Sequence, residues 1–150
     1  MAINGDEWRT PDWVWLPYAP FDLDAAASVE NTIAPFWIDQ TTNALDADWR
    51  DFAPAGSHVW CNPPYSQEAG PLMRWVETFL RWQGEGYWIT VLLPADTSTA
   101  WFHLLWACHR ADSSAIHVEF LERRVRHIDP VTGKPGGSPK FGSLIVQFFP

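Results

Sequence analysis

Tyr87 to Leu93 (YWITVLL) is an unbroken apolar run rich in β-forming residues. Such a run fits a strand at the centre of a sheet that is covered on both faces. Around it the chain alternates strand and helix signals. His58-Val59-Trp60-Cys61-Asn62 reads as a strand between Ala55-Gly56-Ser57 and Pro63-Pro64. From Gln67 to Trp82 the apolar residues Leu72, Trp75, Val76, Phe79 and Leu80 recur at helical spacing, and Gly84 and Gly86 end the pattern. Ser98 to Cys108 reads as a second amphipathic helix, with Asp96 or Thr97 as its N-cap. Ile116 to Leu121 and Leu144 to Phe149 read as closing strands. Strands alternating with helices predict an α/β fold with a mostly parallel sheet and helices on both faces. The two closing strands have no helix between them, which predicts an antiparallel edge pair.

The N-terminal part is less regular. Residues 12–18 (DWVWLPY) predict a brief helix or turn, and Phe21-Asp22-Leu23-Asp24 alternates as a short strand would. Ala25 to Asn31 is expected to begin a helix, and Phe36-Trp37-Ile38 is a candidate second strand. A chain of 150 residues that is 47% apolar is the size of one domain, 1–150, with a sizeable core. It has no apolar run of the ~18 residues that a membrane span needs, and no basic-then-apolar leader opens it. The expectation is a cytoplasmic protein with no membrane partner.

Two cysteines, Cys61 and Cys108, are too few for a disulfide framework. His58 with Cys61, and Cys108 with His109, lack the paired spacing of a zinc site, so no metal is expected. The net charge of −8 resides in residues 1–60, which hold ten acids and two bases. In the C-terminal part Arg123, Arg124, Arg126, Lys134 and Lys140 outnumber Glu122 and Asp129, so a polyanion would approach there. These bases and His127 flank a Gly/Pro-rich loop, residues 129–140 (DPVTGKPGGSPK).

The chemistry concentrates in Asn62-Pro63-Pro64-Tyr65, directly after a strand. Two prolines fix φ and supply no N–H, so the backbone leaves the strand on a stiff path with carbonyl oxygens as acceptors. Asn62 adds a side-chain carbonyl and Tyr65 a flat aromatic face. Two convergent acceptors beside a stacking platform suit an amino group on a planar heterocycle.

NPPY in this position resembles the catalytic motif of amino methyltransferases acting on adenine N6, and residues 8–149 resemble the phage-type DNA N6-adenine methyltransferases. Trp8-Arg9-Thr10-Pro11 is similar to that family's opening TP element, and Phe21-Asp22-Leu23-Asp24-Ala25-Ala26-Ala27-Ser28 to its first-strand element. Leu45-Asp46-Ala47-Asp48-Trp49 followed by Val59 to Tyr65 is the nearest likeness. Leu92-Leu93-Pro94-Ala95, Trp101-Phe102-His103 and Arg123 or Arg124 continue it. The FxGxG glycine signature of such enzymes is absent, and alanines stand in its place.

The resemblance implies a Rossmann-like S-adenosylmethionine-dependent methyltransferase fold and site-specific methyl transfer to a flipped-out adenine in duplex DNA. It implies catalytic roles for Asn62, Pro63, Pro64 and Tyr65. It implies a cofactor site made by Thr10, Pro11, Asp22, Asp24, Ala25, Ala26, Asn43 and Asn62. Asp24 is the first choice for the cofactor's positive charges and Asp22 the second. Asn43 takes the place of the usual aspartate, with Asp46 or Asp48 as stand-ins. Arg123, Arg124, Arg126, Lys134 and Lys140, within a target-recognition loop at 122–142, would hold DNA. A phage or prophage origin and protection of phage DNA go with the resemblance. RNA-adenine and protein-glutamine methyltransferases also use NPPY; cytosine-N4 methyltransferases share the chemistry but more often carry serine in place of Asn62; and a noncatalytic binding module of the same fold stays open.

Overall fold

The computed structural model describes residues 7–65 and 71–150. The elements run α1 (Asp12–Trp15), β1 (Leu23–Asp24), β2 (Phe36–Trp37), β3 (His58–Cys61), α2 (Leu72–Gly84), β4 (Trp88–Pro94), α3 (Ala100–Ala111), β5 (Ile116–Phe120) and β6 (Ser143–Phe148), with 3₁₀ turns at Leu16–Tyr18 and Trp49–Asp51. This is a mixed α/β fold. The six strands form one sheet in the order β2-β1-β3-β4-β6-β5. β1 pairs in parallel with β2 and β3, and β3 with β4; β6 runs antiparallel to both β4 and β5. The apolar run at 87–93 supplies the central strand, as its composition requires. Among the described residues no helix is long and apolar enough to cross a membrane.

Side chains alternate across β3, β4 and β6. Val59, Cys61, Ile89, Val91, Leu93, Leu144, Val146 and Phe148 face one core, against Trp75, Val76, Phe79 and Trp82 of α2 and Trp101, Phe102 and Leu105 of α3. Trp60, Leu92 and Ile145 face the other core, with Val14, Phe21 and Val125. Both longer helices therefore cover the same face, which corrects the expectation of helices on both. Short α1, the 3₁₀ turn after it and residues around Leu121 and Val125 cover the second face instead.

No helix forms at 25–31 either. The amide of Ala26 donates to the Asp24 carboxylate at 3.4 Å, that of Ser28 to Asn31 Oδ1 at 2.7 Å, and that of Ala27 to the Ile38 carbonyl at 3.1 Å. Polar side chains and the neighbouring strand thus capture the amides a helix would use. The first half of the expected α2 segment, 66–70, lies outside the described residues. Thr99, rather than Asp96 or Thr97, caps α3, accepting from the Phe102 amide. Gly86, at φ +98°, makes the turn from α2 into β4, a conformation that glycine adopts at no steric cost.

His58 opens β3 on the second face. Its Nδ1 donates to the Pro20 carbonyl at 3.0 Å, and its Nε2 accepts from the Thr90 hydroxyl at 2.8 Å. The ring stacks on Trp88, with centroids 3.5 Å apart. Burial pushes its pKa down to about 4. A depressed folded pKa gives stability that is complete above the unfolded value of ~6.5 and is lost as pH falls through the folded one. Relative to His58→Gln, the protein is expected to lose about 3 kcal/mol between pH 6.5 and 4. Thermal midpoints of the two proteins across that range check this; a constant gap between them would refute it.

Candidate active site

The reversal of strand order lies at β1, which sits between β2 and β3. In open parallel sheets the crevice at such a point, outside the carboxyl ends of the strands, is where ligands bind. Three cavities open there, and Asn62 lines all of them. It is the first residue beyond β3. The stiff Pro63-Pro64 path keeps it at the strand end instead of letting the strand run on.

The Asn62 side chain is held on every side. Nδ2 lies 3.1 Å from Thr10 Oγ1, to which it donates, and 3.3 Å from His127 Nε2. Oδ1 accepts from the Tyr65 hydroxyl at 3.3 Å, and that hydroxyl also lies 3.4 Å from the Leu92 carbonyl. Tyr65 as a residue is 45% exposed, while its hydroxyl turns inward to Asn62 and Leu92. Enclosure of that hydroxyl raises its pKa and keeps the phenol protonated. Pro63, Pro64 and Tyr65 form one wall of a cavity of about 330 Å³. Val125, His127, Lys140 and Phe141 line it as well.

A second cavity of about 200 Å³ is lined by Trp8, Thr10, Trp15, Asp24, Trp60 and Asn62. Asp24, the last residue of β1, is only 4% exposed. Its oxygens accept from the amides of Ala26 and, at 3.3 Å, Ile33. Burial outweighs these bonds and raises its pKa to about 7. The third cavity, also about 330 Å³, runs along Ala25, Ala26 and Ala27 to Asp39, Asn43 and Trp75. Alanines leave the backbone there open to a ligand. Asn43 has a left-handed backbone, φ 62°, which asparagine tolerates better than most residues. Its Oδ1 accepts from the Leu45 amide at 3.0 Å.

The structure thus brings together Thr10, Asp24, Ala25, Ala26, Asn43 and the Asn62–Tyr65 corner. Asp22 stands apart, lining none of the three cavities. Its carboxylate accepts from the His58 amide at 2.8 Å, at the start of β3, where it straps two strands together. Pro11 sets the extended backbone just before α1 and does not line the cavities. Asp48 is taken by Arg50 at 2.7 Å and Asp46 faces Arg74, so neither stands in for Asn43. His58 and Cys61 have their own surroundings in the sheet; among the described residues no cluster of three or more His, Cys, Asp or Glu gathers.

The basic segment is more ordered than its composition implies. Arg124 donates to the Pro139 carbonyl at 3.0 Å, Arg126 to the Gly136 carbonyl at 2.7 Å, and Arg123 lies over the Trp13 ring. The loop also rests on Trp8 so closely that a Cβ at Gly136 would fall 2.3 Å from the indole. Lys134 and Lys140 remain exposed.

Asp39 and Trp75 line the cavities without having been singled out for them, and Trp8 and His127, expected only as parts of the TP element and of the basic segment, line them as well. Asp39 had a legible signal, a carboxylate just past the second strand. The contact of His127 with Asn62 had none, the two being 65 residues apart.

Comparison with known proteins gives a consistent picture. A DNA N-6-adenine-methyltransferase of Escherichia phage T1 is 41% identical over 101 residues, a stretch covering 65% of this chain and 39% of the phage protein. The chain therefore spans about two fifths of the length of that relative. The family model described as DNA N-6-adenine-methyltransferase (Dam) matches residues 2–150, which is nearly the whole chain, and the chain belongs to that family.

Proposed function

We propose that this chain transfers a methyl group from S-adenosylmethionine to the N6 amino group of adenine in DNA, on a Rossmann-like methyltransferase fold. The observation that carries the reading is the place of Asn62, at the meeting point of the three cavities. Two of them lie over β1 and suit the cofactor; the third, walled by Pro63, Pro64 and Tyr65, suits the target base.

The groups present fit the cofactor. Asp24 offers a buried carboxylate to its positive charges, and Thr10 offers a hydroxyl beside it. Asp39, past the end of β2, is placed as are the acids that bind ribose hydroxyls in dinucleotide folds. The indole N–H groups of Trp15 and Trp75 are buried, have no acceptor among the described residues, and each belongs to a residue lining one of the two cavities. A buried donor without a partner is costly, and a ligand acceptor would relieve it. When bound, S-adenosylmethionine supplies an electrophilic methyl group.

Asn62 Oδ1 and the Pro63 carbonyl accept hydrogen bonds from the adenine amino group, which draws its lone pair out of ring conjugation. Tyr65 stacks on the ring. No strong base is required, because the proton leaves nitrogen after transfer; orientation and fixed dipoles carry the catalysis. In a duplex that amino group is paired, so the base is flipped out before it enters. Lys134, Lys140 and the exposed edges of Arg123, Arg124 and Arg126 hold the phosphates.

The test is transfer of labelled methyl from S-adenosylmethionine to oligonucleotides. Label is expected in DNA containing adenine, at N6, and not in DNA lacking adenine. Equal labelling of RNA, or labelling of adenine-free DNA, would move the substrate elsewhere. Lack of cofactor binding at millimolar concentration would support a noncatalytic module.

A further inference from the structure

An asparagine can serve as the acceptor for the target amine only if its amide is turned the right way. Nitrogen and oxygen are nearly the same size, so packing does not choose between the two orientations; hydrogen-bond partners do. Thr10 Oγ1 and the Tyr65 hydroxyl both donate and accept, and would satisfy either orientation. His127 Nε2, 3.3 Å from Asn62 Nδ2, differs from them in that only its Nδ1–H tautomer accepts there, and protonation of the ring removes the acceptor altogether. We propose that His127 is a positioning residue: as a neutral imidazole protonated on Nδ1, it accepts from Asn62 Nδ2 and so keeps Oδ1 facing the target amine. This rests on the methyltransferase reading of the same site.

The place of His127 is built for the task. It is half-buried, lines the same cavity as Tyr65, and its neighbour Ile128 is bridged to Arg9, next to Thr10. Its carbonyl accepts from the Gly136 amide at 2.9 Å, which fixes the backbone on both sides. Burial lowers its pKa, so the neutral form prevails near neutral pH. Of the titratable groups around it, Tyr65 and Lys140 line the same cavity. Arg126 is turned to Gly136, and Asp129 accepts from the amides of Val131 and Thr132 in its own turn. Arg9 lies on the segment bridged to Ile128. No carboxylate lines that cavity among the described residues to hold the imidazole charged. Once protonated, His127 could only donate, would attract Oδ1, and would leave an NH2 group facing the target amine.

Four measurements test this against the full chain. With adenine DNA as substrate, wild-type kcat is expected to fall about tenfold per pH unit on an acid limb below the ordinary histidine range. His127→Leu, which has no acceptor, is expected to lower kcat roughly 10²-fold with KM and cofactor affinity nearly unchanged. His127→Gln, which can turn an acceptor oxygen to Asn62 Nδ2 but does not titrate, is expected to recover part of the kcat lost in His127→Leu and to lack the acid limb. Nitrogen NMR of the folded protein is expected to show the Nδ1–H tautomer at His127, a readout that needs no activity and no variant. An Nε2–H tautomer, full kcat in His127→Leu, or an unchanged acid limb in His127→Gln would each overturn the proposal. Absence of transfer by the wild type on any nucleic acid would instead overturn the underlying reading.

Discussion

Asn62→Ala is expected to lower the rate of methyl transfer by about 10³-fold or more while cofactor affinity changes only severalfold. Loss of one preorganised polar group at a reacting centre costs about 10²–10³-fold, and here the acceptor and the aim of the amine go together. The truncation also strips Thr10 and His127 of their shared partner, and His127 lines the target cavity. The Asp24 carboxylate, held by the amides of Ala26 and Ile33, is untouched, which is why cofactor binding is spared. Single-turnover transfer to an adenine oligonucleotide, beside calorimetry with the cofactor, separates the two effects. Transfer within tenfold of the wild type would remove Asn62 from the mechanism. Asn62→Asp is expected to be nearly as poor, because a carboxylate oxygen would replace Nδ2 against the acceptor nitrogen of His127.

The second large effect is expected at Asp24. Asp24→Asn should weaken cofactor binding about 10²-fold at pH 8, since a buried charged hydrogen bond is worth roughly 1.5–3 kcal/mol. The wild-type affinity should rise with pH and level off above about 7, the pKa to which burial raises this carboxyl. Below that value the free protein holds Asp24 protonated, and a cationic ligand must displace the proton. The released proton is measurable as a binding enthalpy that varies with the buffer's ionisation enthalpy. Both signatures should vanish in Asp24→Asn; their persistence would place the ligand's positive charge elsewhere.

Linkage adds a stability effect of opposite sign. A folded pKa above the unfolded value of ~3.9 means stability that is complete below the unfolded value and lost as pH rises through about 7, at most about 4 kcal/mol. Asp24→Asn should therefore gain on the wild type as pH rises from 4 to 8, less whatever is lost when one of the two amides faces NH2 instead of oxygen. The His58 effect runs the other way over an overlapping range. The wild-type thermal midpoint should consequently vary little between pH 4 and 7, and each variant should uncover the other group's slope.

Much of this site was legible because its central parts are local in sequence. Asn62-Pro63-Pro64-Tyr65 carries its own geometry, and Asp24 ends a strand that alternation marks. The run at 87–93 likewise announces a central strand. What was illegible depends on tertiary choices. Asp22 and Asp24 have the same pattern, and only the bend at Asp22, tied to the His58 amide, separates strap from site. The absence of a helix at 25–31 follows from amides captured by Asp24, Asn31 and Ile38, and no propensity rule registers that. Composition made the arginines at 123–126 a plain basic patch. In the fold the guanidinium groups of Arg124 and Arg126 also bond carbonyls of the loop that follows His127.

The amide of Asn62 is clasped by residues 52 positions before it and 65 after it. No short stretch of chain can therefore rehearse the catalytic geometry by itself; it exists only once both ends of the sequence have been brought to the middle. Bringing such distant segments together carries a loop-closure cost that only the assembled fold offsets. If the proposed function holds, loosening of this clasp is expected to cost transfer activity before it costs the sheet or the helices.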